Sequence, residues 1–137
     1  RVGYAIGTLG NAEAFDKIRN HFGMSRVSVA AALAALNDQA YLRDVVKRIA
    51  NARERISTIA RQNGLSPLPS ATNFVAIDCH KDGAYAKSIV DGLMDHGVFI
   101  RMPGVEPLNR CIRVSAGPDD KLDLFAEALP KVLQSLG

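Results

Sequence analysis

Two arginines lie in short segments whose patterns are typical of β-strands, and both could bind an anion. Arg101 alternates with aliphatic residues in VFIRM, and Arg113 lies between Ile112 and Val114 in RCIRVSAG. Because strand side chains alternate between two faces, the aliphatic residues would pack on a core and both arginines would point the other way. A guanidinium fork binds two oxygens of a carboxylate or phosphate, so these positions predict an anion site.

The loop between the two segments decides whether the arginines meet. PGVEPLN has seven residues, which permits antiparallel pairing and would bring Arg101 and Arg113 together. Like charges placed opposite each other in a sheet are unfavourable unless an anion lies between them. The alternative is that each arginine pairs with a nearby carboxylate such as Glu106, or is solvated.

Other patterns for chemistry are weak. The three histidines are scattered, no Cys/His spacing indicates a metal, and the sequence contains no phosphate-binding glycine loop. Cys79 and Cys111 lie in apolar runs, which predicts two buried free thiols. The 17 basic and 14 acidic residues give a net charge of only +3, spread along the chain, which argues against nucleic-acid binding. No apolar run is long enough for a membrane span.

The elements that must position the arginines divide into two groups. The first begins with RVGYAIG, which predicts a strand, followed by a helix over residues 11–23 and an alanine-rich helix capped by Ser25. The alanine-rich helix is apolar nearly all round, so we expect it to be buried on several sides by a surface outside this sequence. A long helix over about residues 40–63, closed by Gly64, suits either a bridge between two domains or an ordinary surface helix.

The second group follows the linker GLSPLPS and has the order β-α-β-β-α. Its strands are predicted in TNFVAID, VFIRM and RCIRVSAG, with two helices on one face of a three-stranded sheet. Pro130 falls inside the final helix and predicts a kink or an early stop near Leu129.

Five segments taken in order resemble a known family. RVGYAIG, VAAALAAL, PSATNFVAID, GVFIRMPG and CIRVSAG resemble the C-terminal portion of fold-type I, class I/II pyridoxal-phosphate aminotransferases, most like the histidinol-phosphate aminotransferase group. The resemblance implies an α/β fold. Residues 1–37 would be the end of the cofactor-binding large domain, 38–64 an interdomain helix, and 65–137 a small β-α-β-β-α domain.

The resemblance also implies roles for three arginines. Arg1 would bind the phosphate of pyridoxal 5′-phosphate, and Arg113 and Arg101 would bind the substrate anion. The catalytic Schiff-base lysine and the residues that hold the pyridine ring are expected upstream of residue 1, so we expect this chain alone to be inactive. No metal is implied, and the full-length parent would be a cytoplasmic homodimer.

The function implied is transfer of an amino group between an amino acid or amino-alcohol phosphate, such as histidinol phosphate, and a 2-oxo acid. Two alternatives stay open at this stage. One is a related phospho-amino-acid decarboxylase that uses the same cofactor. The other is a non-enzymatic α/β module that binds an anion through Arg101 and Arg113, folds alone and exposes no apolar surface.

Overall fold

Five α-helices and a small antiparallel sheet make up the main regular structure of residues 2–20 and 22–137, the part that the computed structural model describes. The predicted α/β class is confirmed. The chain divides into two units, one ending at Asp44 and the other running Val45–Gly137. The predicted domain limits at 37/38 and 64/65 stay a prediction.

The first unit contains two short helices. Helix α1 (Leu9–Asp16) follows Thr8, whose hydroxyl accepts a hydrogen bond from the Asn11 N–H, so the helix begins and ends before the predicted 11–23. Helix α2 (Arg26–Asn37) begins after Ser25, whose hydroxyl accepts from the Ser28 N–H at 3.1 Å, and this predicted cap is confirmed.

The predicted strand at RVGYAIG is wrong for residues 2–7, which have no regular structure. A strand needs a neighbour to satisfy its backbone groups, and the described residues supply none there. The Ile6 side chain is 91% exposed. Helix α2 has no buried residue either, so the burial predicted for it is not provided by the described part of the chain. Arg1 lies outside the described residues.

The second unit holds the hydrophobic core. Helix α3 (Gln39–Gln62) closely matches the predicted long helix, and its apolar stripe contributes Ala52, Ile56 and Ile59 to that core. Gly64 follows the helix with φ of +74°, and the Leu65 N–H donates back to the Ala60 carbonyl at 3.0 Å. This left-handed closure, which favours glycine, turns the chain sharply away from the helix axis.

The sheet has the order β1-β2-β3, with β1 at Ser66–Pro67, β2 at Phe74–Asp78 and β3 at Cys111–Ser115, all antiparallel. Residues 75 and 77 of β2 and residues 112 and 114 of β3 are buried in the core, as alternation requires. Residues 74, 76 and 78 therefore share the opposite face with residues 111, 113 and 115.

The predicted strand at VFIRM is wrong as a full strand. Only Arg101 forms a bridge, pairing with Arg113, while β1 is the third strand of the sheet. The predicted burial still holds, because Ile100 is buried and Val98 and Met102 pack against the core. The segment is therefore held mainly by its apolar side chains and by one pair of backbone hydrogen bonds.

Helices α4 (Gly83–Asp95) and α5 (Asp119–Ser135) cover the core face of the sheet, together with α3. They approach closely at Gly92, where an added Cβ would lie 2.8 Å from Cγ1 of Val132. The early stop predicted near Leu129 is wrong, because α5 continues through Pro130 to Ser135. Buried Leu129 and Val132 on either side offset the backbone hydrogen bond that proline cannot make. No helix in the described ranges has the length and apolar character needed to cross a membrane.

Candidate anion-binding site

Arg101 and Arg113 lie directly opposite each other in an antiparallel bridge. The Arg101 N–H donates to the Arg113 carbonyl at 3.2 Å, and the Arg113 N–H donates to the Arg101 carbonyl at 2.6 Å. Residues that exchange both backbone hydrogen bonds direct their side chains to the same face of the sheet. The predicted antiparallel pairing is therefore confirmed, while the role of the two arginines as anion ligands stays a prediction.

The two side chains line a small open depression of about 290 Å³ together with Phe99, Ile100 and Ser115. Its wall is mainly polar because it contains both arginines and the Ser115 hydroxyl. A depression of this size accommodates the charged end of a small metabolite rather than a macromolecule.

Neither arginine has a carboxylate partner among the described residues, so the alternative in which Glu106 pairs with one of them is not what the structure shows. Arg101 is exposed, and Arg113 is half-buried. Two guanidinium groups at opposite positions of a bridge, without a carboxylate of the described residues between them, repel each other, and a bound anion relieves that repulsion.

Arg113 does have one defined side-chain contact. Its guanidinium carbon lies 4.8 Å from the centre of the Phe74 ring, which is within the range of a cation–π interaction. Phe74 is the first residue of β2 and pairs with Ser115, so it is the diagonal neighbour of Arg113 on the same face. Sequence reasoning missed this contact, although the alternation of β2 already put Phe74 on the polar face.

Other arginines of the second unit bind protein oxygens. Arg55 of α3 donates to Asp119 at 2.9 Å and to Asp123. The hydrogen bond to Asp123 has the largest effect in raising the pKa of Arg55, followed by the hydrogen bond to Asp119. Arg53 donates to the Thr72 carbonyl at 2.8 Å. Arginines that serve the fold are therefore recognisable here by a protein acceptor, which Arg101 and Arg113 lack within the described residues.

Asp78 and Arg110 form such a structural pair at the other end of the same sheet face. The Asp78 carboxylate is nearly inaccessible and accepts from Arg110 at 2.6 Å and from the His80 backbone N–H at 2.9 Å. The His80 N–H, with help from Arg110, holds the pKa of Asp78 below its ordinary value, although burial acts in the opposite direction. Sequence reasoning missed this pair because its members are distant in the chain.

The cysteines are both buried and free, as predicted. Burial raises the pKa of the Cys79 thiol to about 11 and also raises the pKa of Cys111. A thiol in that state is almost fully protonated near neutral pH, so neither cysteine is suited to act as a nucleophile.

All six lysines are exposed. Lys87 pairs with Asp91 at 2.7 Å, and Lys81 lies over the Tyr85 ring at 4.0 Å. None of the six is enclosed by the apolar side chains of the described residues. The third predicted site residue, Arg1, lies outside the described residues.

Residues 1–129 match the family described as aminotransferase class I and II. The chain is 35% identical over 133 residues to histidinol-phosphate aminotransferase 2 of Methylococcus capsulatus, covering 97% of this chain and 35% of that protein. It is also similar to the crystal structure of histidinol-phosphate aminotransferase from Sinorhizobium meliloti in complex with pyridoxal-5′-phosphate. That likeness has 67% sequence identity and a TM-score of 0.90, over 93% of this chain and 35% of that one.

A decarboxylase from Sulfurospirillum multivorans shares the fold, with a TM-score of 0.64 and 17% identity over 90% of this chain and 36% of that one. At that identity the likeness concerns the fold alone. The chain spans about a third of the length of the curated relatives that it matches. The match over residues 1–129 covers the first unit and most of the second, and the chain belongs to the class I and II aminotransferase family.

Proposed function

We propose that this chain is part of a pyridoxal-phosphate-dependent aminotransferase. The enzyme moves an amino group between an amino acid or amino-alcohol phosphate, with histidinol phosphate the leading candidate, and a 2-oxo acid. The observation that carries the proposal is the bridged pair Arg101 and Arg113, which have no carboxylate partner among the described residues of a chain from this family. The 67% identity to a histidinol-phosphate aminotransferase supports the choice of substrate.

In this proposal Arg113 and Arg101 bind the anionic group of the substrate from one side of the sheet. Each guanidinium donates hydrogen bonds to oxygens of a carboxylate or phosphate, and charge on both partners strengthens these bonds. Fixing one end of a small substrate restricts the position of its reacting carbon, which lowers the entropic part of the barrier. The work of these residues is therefore binding and orientation.

The described residues fit the substrate anion better than the cofactor. Pyridoxal phosphate, when bound, supplies an electron sink for bond changes at the substrate carbon. Its phosphate is assigned to Arg1 in our proposal, and the catalytic lysine to the part of the protein upstream of residue 1. No described lysine is enclosed, so we expect the 137-residue chain alone to show no amino transfer, and addition of the upstream segment to restore it.

The proposed parent is a cytoplasmic homodimer. Large apolar side chains of the first unit are exposed in the described chain, among them Phe15, Ile18 and Phe22. Such a surface on a water-soluble enzyme is normally covered by other protein. The same exposure counts against an independent anion-binding module, which would bury its apolar residues by itself.

A double-mutant cycle in the full-length enzyme tests the proposal. Binding of 2-oxoglutarate and of inorganic phosphate is measured for Arg101→Ala, Arg113→Ala and the double variant, with Arg61→Ala as control because Arg61 pairs with Glu54 on an exposed face of α3. We expect a coupling free energy above about 0.5 kcal/mol, since both residues contact one anion. Additive losses would indicate two separate sites, and unchanged binding would overturn the proposal.

Product analysis separates the two pyridoxal-phosphate enzymes. An aminotransferase converts 2-oxoglutarate to glutamate when supplied with histidinol phosphate, whereas a decarboxylase releases carbon dioxide from its amino acid. We expect glutamate without carbon dioxide.

A further inference from the structure

The β2–β3 register places no bulky side chain of β2 between Arg113 and Phe74. Ala76 lies directly opposite Arg113, and Phe74 lies opposite Ser115, one diagonal step away. The Ala76 side chain ends at its Cβ, so it leaves space above the sheet for the long arginine side chain. Diagonal neighbours in an antiparallel pair are within reach when one is aromatic and the other is long, and the 4.8 Å contact shows that Arg113 reaches the ring.

A cation–π contact restrains an arginine without an ion pair to a carboxylate. The guanidinium carbon of Arg113 lies over the Phe74 ring, and no carboxylate of the described residues pairs with this arginine. Arg110 is restrained differently, because it donates to Asp78. The Phe74 contact therefore holds Arg113 while its guanidinium stays available to donate to a bound anion.

Phe74 is itself held in place through its backbone. The Ser70 and Thr72 hydroxyls donate to the Phe74 carbonyl at 2.5 and 3.2 Å. Arg53 of α3 donates to the Thr72 carbonyl at 2.8 Å, which ties this turn to the long helix. The Phe74 ring is half-buried, so it offers Arg113 a supported surface.

We propose that Phe74 is a positioning residue for substrate binding, which sets the orientation of the Arg113 guanidinium before the anion arrives. Arg101 is exposed and has no such contact among the described residues, so it is the adjustable member of the pair. The site thus has one pre-oriented arginine and one that adapts to the size of the anion. This inference rests on the proposed function, since it assigns Phe74 a task only if Arg113 binds the anion.

The test compares Phe74→Leu with Phe74→Tyr in the full-length, cofactor-loaded enzyme. Loss of the ring should weaken inorganic phosphate binding about two- to fivefold, as expected for one partly exposed cation–π contact. KM for the anionic substrate should rise by the same factor while kcat stays within about twofold. Phe74→Tyr keeps a ring at this position, so its phosphate affinity and its KM should both be close to those of the wild type. The matched control is Tyr85→Leu, which removes another half-buried ring that carries a cation, Lys81, away from the site.

Arg113→Ala separates this inference from the proposed function. If Arg113→Ala leaves phosphate binding unchanged, the proposed function fails, and the role of Phe74 fails with it. If Arg113→Ala weakens binding and Phe74→Leu does not, only the role of Phe74 is overturned. If Phe74→Leu weakens binding equally in the wild-type and Arg113→Ala backgrounds, Phe74 acts independently of Arg113, and the inference is again wrong.

A measurement on the unmutated enzyme covers the case in which Phe74→Leu does not fold. With ¹⁵N-labelled arginine, the Arg113 Nε–H signal, assigned by its loss in Arg113→Lys, should be shifted upfield by the aromatic ring. The Arg101 signal should stay at the value of an exposed arginine. A shift for Arg113 equal to that of Arg101 would show that the stacking is absent and would overturn the inference.

Discussion

The two ends of the β2–β3 polar face differ in what contacts their arginines. At one end, Arg110 donates to the nearly inaccessible Asp78, and the charges cancel. At the other end, Arg113 rests on the Phe74 ring and faces Arg101, with no carboxylate partner among the described residues. Arg110 lies immediately before β3 and Arg113 lies within it, so the two arrangements begin only three residues apart in the sequence.

This difference shows that two arginines close in sequence can have different roles, one in stability and one in binding. Arg110 and the His80 N–H together satisfy the nearly inaccessible Asp78 carboxylate, which stabilises the fold. Arg113, which lies over the Phe74 ring, has no carboxylate partner among the described residues, and it repels Arg101 until an anion binds. Substitutions at the two ends should therefore affect different measurements, and each prediction below tests that separation.

The largest effect is expected from Arg113→Lys in the full-length enzyme. Lysine keeps the charge but loses the two-oxygen fork, so kcat/KM for the anionic substrate should fall about 10- to 100-fold, as expected for charged hydrogen bonds of about 1.5–3 kcal/mol. The melting temperature should move little. Arg110→Lys is the matched control and should leave kcat/KM within about twofold, and equal losses at both positions would break the comparison.

Asp78→Ala is expected to lower the stability of the fold without affecting substrate binding. It removes the acceptor of both Arg110 and the His80 N–H, so the free energy of unfolding should fall by about 1–2 kcal/mol. KM should stay near its wild-type value. Urea titration and steady-state kinetics measure the two effects, and Asp91→Ala, which breaks the exposed pair with Lys87, should cost at most about 0.5 kcal/mol. A large change in KM for Asp78→Ala would show that the two ends are coupled.

A smaller effect is expected for the pH dependence of the stability that Asp78 contributes at the paired end. The His80 N–H and Arg110 hold the folded pKa of Asp78 below its ordinary value, so the stabilisation is present above the unfolded pKa of about 3.9. It is lost as pH falls through the folded pKa. The stability difference between wild type and Asp78→Asn, measured by urea titration at pH 7, 5 and 3.5, should therefore be constant at the first two values and smaller at the third. A difference that grows toward acid would contradict the assignment.

The smallest effect on activity is expected from substitution of Cys111, which lies opposite Asp78 at the paired end. Its thiol is buried and its pKa is raised, and that of Cys79 is raised to about 11. Neither thiol should react with iodoacetamide at pH 8 in the folded protein, and both should react in urea. Cys111→Ala should leave kcat/KM unchanged, and rapid labelling of the folded enzyme would show that this part of the sheet opens readily.

Alternation in β3 was sufficient to predict which face each residue of this strand would occupy. Ile112 and Val114 are in the core and Arg113 is on the other face, because period-two patterning survives in almost any sheet. The long helix and its closure at Gly64 were also predictable, since a sustained apolar stripe and a glycine after it are strong local signals.

Features that depend on distant partners were not predictable in the same way. VFIRM has the pattern of a strand but forms one bridge, because Val98, Ile100 and Met102 are held by packing against the core rather than by a ladder of backbone hydrogen bonds. RVGYAIG has an equally good strand pattern, yet residues 2–7 are irregular because no described strand pairs with them. The contacts of Arg113 with Phe74 and of Arg110 with Asp78 required the β2–β3 register, which the sequence pattern left open.

The link between Arg101 and Arg113 is made by main-chain atoms alone, and this has a consequence for diversification. Two N–H···O=C bonds fix the spacing of the two residues, and such bonds do not depend on which side chains surround them. The connecting residues 103–107, which precede the structural residue Arg110, can therefore change in sequence without moving Arg101 and Arg113. Replacing this loop with the loop of a relative that has another substrate would therefore change the residues around the site. Arg101 and Arg113 would keep their positions, so the specificity could change while the anion site is retained.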